Sequence, residues 1–493
     1  MVLTVVIIYI VVATWLSLYG FNAIAMSLLY LVHRKDRVVL EPLTEFPDVT
    51  VQLPVYNERY VVERLLDAVV ALDWPRGKLH IQVLDDSTDE TTGLIRARAD
   101  LHRARGADIT VLHRTDRTGY KAGALKMGLE CSTSPFVAMF DADFVPAPDF
   151  LRRIMPAFVG RPKVGWVQAR WTHLNEDYNP VTRSMALMLD AHFAVEHIAR
   201  NRSGLPIIFN GSAGIWRGAC IEDAGGWQSD TLTEDADLSY RAQIAGWQGF
   251  SMPEVAVPSE LPVQMTALKQ QHFRWAKGGA QTLRKLIVPL LKSKRSTWYK
   301  VAGLFHLSGY LTFPLIILLL ITWLPIILHP DWVKGIPMTF MRTFMSIAML
   351  GVPIQYTLGQ IVLHRADIRR IVNLPWFMII GTGMTLSNSL AIFEGLCGKP
   401  SAFMRTPKFR MEGGSETWKR SSYVMSADPT AFGEVMMVGY AAFMTLESWR
   451  SGNLSVIPFL LLYVLGFATV AIGIASDNGP KWRRPTVRAK ADA

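Results

Sequence analysis

The chain has 493 residues, half of them hydrophobic and 19% charged, with three scattered cysteines (Cys131, Cys220, Cys397) and a formal net charge of +10. That length exceeds one ordinary core, the apolar surplus at both ends excludes a purely soluble protein, and the cysteine spacing excludes a disulfide framework or a zinc site. The bases flank apolar segments instead of lining one soluble stretch, so the charge points to anionic lipid headgroups and not to nucleic acid.

Residues 1–32 carry no charged side chain, which is enough to cross a hydrocarbon core that takes ~20 apolar residues. They read as a transmembrane helix; a signal peptide would have a charged start, a shorter apolar run and a small-residue cleavage site. Residues 45–290 hold most of the acidic and polar side chains. Within them, predicted strands at 48–55, 80–84, 108–113, 136–140 and 164–168 alternate with helical patterns such as 58–72 and 91–105. That alternation predicts a doubly wound, Rossmann-like α/β sheet, whose ligands bind beyond the carboxyl ends of the strands.

Residues 297–475 are again apolar, in stretches at 301–328, 337–363, 371–397, 432–446 and 454–474. Basic clusters at 33–35, 292–295, 365–370, 408–420 and 481–488 set their topology, because Lys and Arg mark cytoplasmic loops. The soluble block, the 398–425 loop and the basic tail 476–493 are then expected in the cytosol. Segment 371–397 carries Asn373, Ser387, Asn388, Ser389 and Glu394, which are unfavourable against lipid. It reads as an interfacial or protein-buried helix pair, with 432–446 and 454–474 forming a final hairpin.

Carboxylates fall where the sheet rule places a ligand. Asp85 and Asp86 close the second predicted strand, and Asp141-Ala142-Asp143 closes the fourth. One Asp-x-Asp alone is usually a loop or a cap. Two acidic sets on one sheet edge call for a cation between them, and Mg2+ or Mn2+ bridging a diphosphate would supply it.

Six ordered motifs then resemble the processive family 2 glycosyltransferases, the group of cellulose, mannan and hyaluronan synthases. They are Pro54-Val55-Tyr56-Asn57-Glu58, Asp85-Asp86, Gly119-Tyr120-Lys121-Ala122-Gly123, Asp141-Ala142-Asp143, Thr233-Glu234-Asp235 and Gln271-His272-Phe273-Arg274-Trp275. The resemblance implies a GT-A domain inserted between transmembrane helices of a multi-pass protein. It implies Asp235 as the catalytic base and Asp143 as the metal ligand, with Asp86 on the base or ribose of the donor and Asp141 near the donor sugar. Lys121 would neutralise a diphosphate oxygen. Gln271 and Arg274, three apart on one helical face, would reach the same diphosphate, and Trp275 would stack on the polymer end.

Phe209-Asn210-Gly211-Ser212-Ala213-Gly214 resembles the acceptor-side loop of the same family, with Asn210 where cellulose synthases usually carry cysteine. Gly211, Ser212 and Glu234 are placed with the acceptor on that basis. Phe403-Met404-Arg405-Thr406-Pro407-Lys408 resembles the gating loop, which implies Thr406 and Lys408 on the donor diphosphate. The expected activity is processive, inverting β-glycosyl transfer from UDP-glucose or GDP-mannose to a growing glycan, at the plasma (inner) membrane. The alternatives are a lipid glycosyltransferase of the ceramide type that adds a single sugar, and a noncatalytic glycan channel.

Overall fold

The computed structural model describes residues 2–36, 38–335, 337–365, 367–400, 403–411, 418–419, 421–426 and 430–477. The predicted basic tail therefore lies outside the described residues, apart from Ser476 and Asp477, and so does part of the 398–425 loop.

Seven strands build one sheet: β1 Val49–Val55, β2 Leu79–Asp85, β3 Ile109–His113, β4 Phe136–Met139, β5 Val164–His173, β6 Gly214–Arg217 and β7 Gln248–Ser259. Their order is β3-β2-β1-β4-β6-β5-β7. The half made by β1 to β4 is parallel, as the strand–helix alternation predicts. Its inner strands β1 and β4 are almost continuously buried, the pattern of a sheet covered on both faces. On one face Val51 and Leu53 pack with Leu65, Leu66 and Val69. On the other, Leu125, Val137 and Met139 pack with Trp166 and Trp216. These two tryptophans are register partners on β5 and β6 and stack at 4.7 Å.

The other half is mixed, because β6 runs antiparallel to both β4 and β5. Neither β6 nor β7 is anticipated by the sequence. The first is four residues long and opens on a glycine; the second contains Pro253 and Pro258, which count against a strand. Pairing with β7 also carries β5 on to His173, past its predicted end at 168.

Register places the acidic motifs. Val55 lies opposite Asp85, and Gln52 opposite Met139, so Asp86 and Asp141 leave the sheet at the same edge. That edge faces the Met265–Lys292 helix, which packs against the Thr385–Leu396 and Ile457–Asp477 helices.

Among the described residues, four helices are long and apolar enough to cross a membrane, at Val2–His33, Gly309–Leu328, Thr339–Leu363 and Leu454–Asp477. A fifth arises if the pair Arg369–Gly383 and Thr385–Leu396, bent by 48°, counts as one span. This pair is the polar segment expected to be interfacial or buried, and its Ser387 and Asn388 are fully buried. The Ala431–Arg450 helix, expected as half of a hairpin, does not qualify. Glu434 and Glu447 interrupt it, and Glu434 is buried against Lys269 at 2.5 Å. Glycines let backbones touch in this region: a Cβ on Gly383 would strike the carbonyl oxygen of Gly466, and one on Gly351 that of Gly20.

Candidate active site

A cleft of about 190 Å3 opens at the carboxyl edge of β1, β2 and β4. Asp86, Lys121, Asp141, Asp143, Gly211, Glu234, Asp235, Gln271, Arg274, Trp275, Thr406 and Lys408 all line it. Of the residues singled out from sequence, Asp85 stays behind the surface, fully buried with its Oδ2 accepting from Thr92 Oγ1 at 2.7 Å, and so does Ser212. It is fully buried, its Oγ accepts from the Asp141 backbone N–H at 2.9 Å, and its carbonyl accepts from Trp171 Nε1 at 3.1 Å. Expected as an acceptor contact, Ser212 instead anchors Asp141, because its hydroxyl is the partner that this strand-end N–H needs.

At the end of β2, Asp86 is buried and both its oxygens are gripped by Arg114, at 2.7 and 2.6 Å. Such a fork fixes the carboxylate plane. The same guanidinium also donates to the carbonyls of Thr118 and Tyr120, at 3.2 and 2.9 Å. It thereby holds the turn in which Gly119, at φ 74°, starts the Tyr120–Glu130 helix. Beside it, Arg117 lies 3.3 Å from the centroid of the Tyr56 ring, a flat cationic wall next to Asp86.

That helix start delivers Lys121. Its Nζ donates to Asp141 Oδ1 at 2.6 Å and to the Gly211 carbonyl at 2.9 Å, with Glu234 Oε1 at 3.9 Å. Burial works against the ammonium, but Asp141 and Glu234 outweigh it and raise the pKa above the ordinary lysine value. It therefore stays charged at the centre of the cleft.

Asp235 is the second residue of the Glu234–Ala245 helix and does not act as its N-cap, which is Thr233. Its Oδ1 accepts from the Ala236 N–H at 2.8 Å. Its Oδ2 would lie 2.8 Å from a Cβ on Gly211, where φ is +83°, so glycine leaves the room this oxygen occupies. Burial first, and the neighbouring Glu234 charge second, push Asp235 up to about 7. A carboxylate poised near neutrality suits proton abstraction.

Asp143 Oδ2 accepts from Lys408 Nζ at 2.8 Å and from the Glu260 N–H at 3.0 Å. No group of three or more His, Cys, Asp or Glu side chains forms a metal cage among the described residues. One or two carboxylates at a phosphate site are nonetheless the donor set a hard divalent cation uses, since the phosphates provide the remaining oxygens. Asp143, buried and already facing the Lys408 ammonium, fits that role.

The membrane side is built by the Met265–Lys292 helix. Arg274 lies 4.4 Å from the Phe403 ring centroid, and burial lowers its pKa from the ordinary arginine value. Phe403 in turn stacks on Tyr120 at 5.9 Å. Gln271 has a buried Oε1 without a hydrogen-bond partner, and Trp275 stands 5.3 Å from His272. The loop after Phe403 closes the cleft: Lys408 also donates to the Glu260 carbonyl at 2.7 Å, and the Glu260 carboxylate accepts from the N–H groups of Phe409 and Arg410, at 2.8 and 3.0 Å.

Three contributors have no assigned role in the sequence reading. Arg114 carries no motif. Glu260 is a single acid after β7. Glu58, which pairs with Arg405 at 3.3 Å and is raised to about 7 by burial, lies in a motif quoted above; the charge on Arg405 was its only signal.

Residues 47–278 match the family described as Glycosyltransferase like family 2. The chain carries a family 2 glycosyltransferase domain. The segment runs from the strand before Tyr56 to just past Trp275, so it contains the motifs of the sheet edge and of the Gln271–Trp275 element but not the 403–408 loop. Among curated proteins, the chain is 42% identical over 254 residues to the probable glucomannan 4-beta-mannosyltransferase 7 of Oryza sativa subsp. japonica, covering 51% of this chain and 43% of that protein. It is 41% identical over 261 residues to glucomannan 4-beta-mannosyltransferase 2 of Arabidopsis thaliana, covering 52% and 49%. The chain thus spans about half the length of the curated relatives it matches. Among solved structures, mannosyltransferase PcManGT from Pyrobaculum calidifontis, in complex with GDP-Man and Mn2+, is 21% identical with a TM-score of 0.49, covering 70% of this chain and 97% of that one. S. aureus TarS 1-349 with UDP is 14% identical with a TM-score of 0.40, covering 64% and 90%.

Proposed function

We propose that the chain is a processive, inverting β-mannosyltransferase that moves mannosyl units from GDP-mannose to the end of a growing β-glycan. The observation that carries the reading is the meeting of a near-neutral Asp235, a charged Lys121, a buried Asp143 and an open-faced Trp275 around one cleft. The names of the relatives, glucomannan 4-beta-mannosyltransferases, support mannose as the sugar and a 4-β linkage.

In the proposed step an acceptor hydroxyl, held against Trp275, attacks the anomeric carbon of the donor. Its proton passes to Asp235 Oδ2, the new C–O bond forms, and the bond from that carbon to the diphosphate breaks with its electron pair on the leaving oxygen. Lys121, Arg274 and Lys408 hold positive charge where that oxygen becomes anionic. A divalent ion, Mg2+ or Mn2+, would be held by Asp143 with Asp141 nearby, and supplies further charge to the diphosphate when bound. Glu234 and Gly211 border the acceptor, and Asp86 the nucleoside.

The reading places residues 45–290 and the 398–425 loop in the cytosol, between the transmembrane helix 1–32 and the helices of 297–475, in the plasma membrane. The basic lysine and arginine clusters at the helix ends support that orientation, and glycan would leave through the helices as it grows. Purified protein in detergent, given radiolabelled GDP-mannose or UDP-glucose with Mg2+ or Mn2+, tests it. Long products cleaved by β-mannanase are expected from GDP-mannose. A single sugar on lipid would make the protein a lipid glycosyltransferase; no turnover of either donor, with glycan still passing the membrane, would make it a channel.

A further inference from the structure

One face of the Met265–Lys292 helix carries two sets of contacts in succession. Gln271, Arg274 and Trp275 line the cleft. Steps of three and four residues keep side chains on one helical face, and Gly278, Gln281, Thr282 and Lys285 continue the same stripe against the segment that carries Asp235. Gln281 Oε1 accepts from the Leu232 N–H at 2.9 Å; a backbone N–H only donates, so this contact fixes which end of the amide faces it. The hydroxyls of Thr282 and Thr233 meet at 3.1 Å. Lys285 Nζ donates to Asp230 Oδ1 at 2.7 Å and lies 2.9 Å from Oδ1 of the fully buried Asp237, so it ties down the chain on both sides of Asp235.

The start of the Glu234–Ala245 helix is held by this neighbour and not by its own cap. A threonine at the N-cap ordinarily accepts from an N–H of the first turn, yet Thr233 makes no side-chain cap hydrogen bond and turns its hydroxyl to Thr282. Gly278 sets how deeply the segment sits. A Cβ there would lie 2.6 Å from Thr233 Cγ2 and 2.9 Å from Thr233 N, and a backbone nitrogen cannot swing aside. Nor can the long helix retreat. Its fully buried Lys277 donates to Glu394 Oε2 at 2.8 Å, and a Cβ on Gly395 would lie only 2.6 Å from the Lys277 carbonyl oxygen. Added volume at Gly278 must therefore displace Thr233 and, with it, Glu234 and Asp235.

Resting on the reading of Asp235 as the base, we propose that Gly278 and Gln281 are positioning residues for it, which seat the start of its helix on the same rigid element that carries Arg274 and Trp275. Arg274 and Gly278 are one turn apart, about 6 Å along the axis, so a single helix measures the spacing between the side that holds diphosphate and polymer and the side that holds the base. Proton transfer demands that spacing, because the attacking hydroxyl must come within hydrogen-bond reach of Asp235 while the sugar that bears it rests on Trp275. A small displacement of the base then reduces the rate and leaves donor binding as it was.

The test uses the full-length protein in detergent with GDP-mannose and Mg2+ or Mn2+. Gln281→Met keeps the length of the side chain and removes the acceptor for the Leu232 N–H. Its kcat is expected to fall about tenfold, the size of one lost hydrogen bond, with donor KM and calorimetric donor affinity unchanged. Gln281→Glu, whose Oε1 still accepts from that N–H, should restore kcat. Gly278→Ala should lower kcat by about 100-fold, as a misplacement near 1 Å does, again at unchanged donor affinity. Combined with Asp235→Asn, Gln281→Met should add nothing, because the group it positions is already gone. Wild-type kcat in Gln281→Met, no recovery in Gln281→Glu, a further tenfold loss on top of Asp235→Asn, or donor affinity falling in step would each overturn the assignment. Should Gly278→Ala fail to fold, the Gln281 variants decide alone. Full turnover by Asp235→Asn would remove the base assumed in the function proposed above, whereas an inactive Asp235→Asn beside an unimpaired Gln281→Met sinks this inference alone.

Discussion

At the sheet edge, Asp86 is gripped by Arg114 from 28 residues away and Lys121 by Asp141 from 20. In the covering loop, Lys408 reaches Asp143 across 265 residues and Arg405 reaches Glu58 across 347. Both regions set cations against carboxylates, but the first pairs lie within one packed α/β unit and the second tie a separate segment onto it. The sheet edge can therefore receive a donor without rearranging, which is what preorganised electrostatic stabilisation requires. Lys408 occupies the same carboxylate, Asp143, that a diphosphate-bound cation would use. On the proposed reading, that contact is the one exchanged when donor enters, so the loop would sense the donor while the sheet edge would hold it.

Substitutions that separate the two regions test this contrast. The largest effect is expected from Asp235→Asn, which keeps the shape of the cleft and removes the base: kcat should fall by about 10³-fold, with donor affinity by calorimetry unchanged. Full turnover in this variant would transfer the base to another residue. Arg114→Ala should come next, because it leaves Asp86 as a buried charge without its partner, an effect of about 3–5 kcal/mol. It should appear as a lowered Tm even without donor, and an unaltered Tm would mean that the sheet edge is not preorganised by this pair. Lys408→Ala should be milder and different in kind. Asp143 keeps the Glu260 N–H, so Tm should move less than in Arg114→Ala, while donor KM rises about tenfold for one lost charged hydrogen bond. Equal effects of Lys408→Ala with and without donor would erase the distinction between a holding edge and a sensing loop.

How far the sequence reveals this architecture depends on the range of the interactions concerned. Asp86, Lys121 and Asp141 are legible because each sits at a strand end or helix start, where β-rich runs and glycines mark the chain locally. The position of Lys408 is legible from the basic character and motif of its loop. Its pairing with Asp143 is not, because that depends on a closure across most of the molecule. Strand β7 hides behind Pro253 and Pro258, tolerated because it pairs with β5 through a register shift around Ala169 and Arg170. Glu260 at its end is invisible for the same reason. Ser212 looks like an acceptor contact because small residues near a site suggest passage for a ligand; the Asp141 backbone N–H decides otherwise, and no one-dimensional pattern reports which N–H lacks a partner.

The smallest effect, on stability, also distinguishes the regions. Asp235 has an ordinary pKa of 3.8 and is raised in the fold to about 7, first by burial and then by Glu234. Between those values the folded chain holds a proton that the unfolded chain has released, so folding stability falls as pH rises through this window and levels off above about 7. Asp235→Asn has no such proton. Its Tm should exceed that of wild type at pH 8, the gap should narrow as pH drops below 7, and it should vanish only well below pH 3.8, where the wild-type carboxyl is neutral in both states. The buried Glu58, also raised to about 7, is present in both proteins and cancels from the difference. Removing the Asp235 charge eases ionisation of Glu234 as well, which adds with the same sign. Wild-type kcat should rise with pH through the same window as the base loses its proton, so activity and stability change in opposite directions over one titration. A Tm gap independent of pH would place the stabilisation in packing and leave Asp235 ionised throughout, at odds with a base tuned by burial.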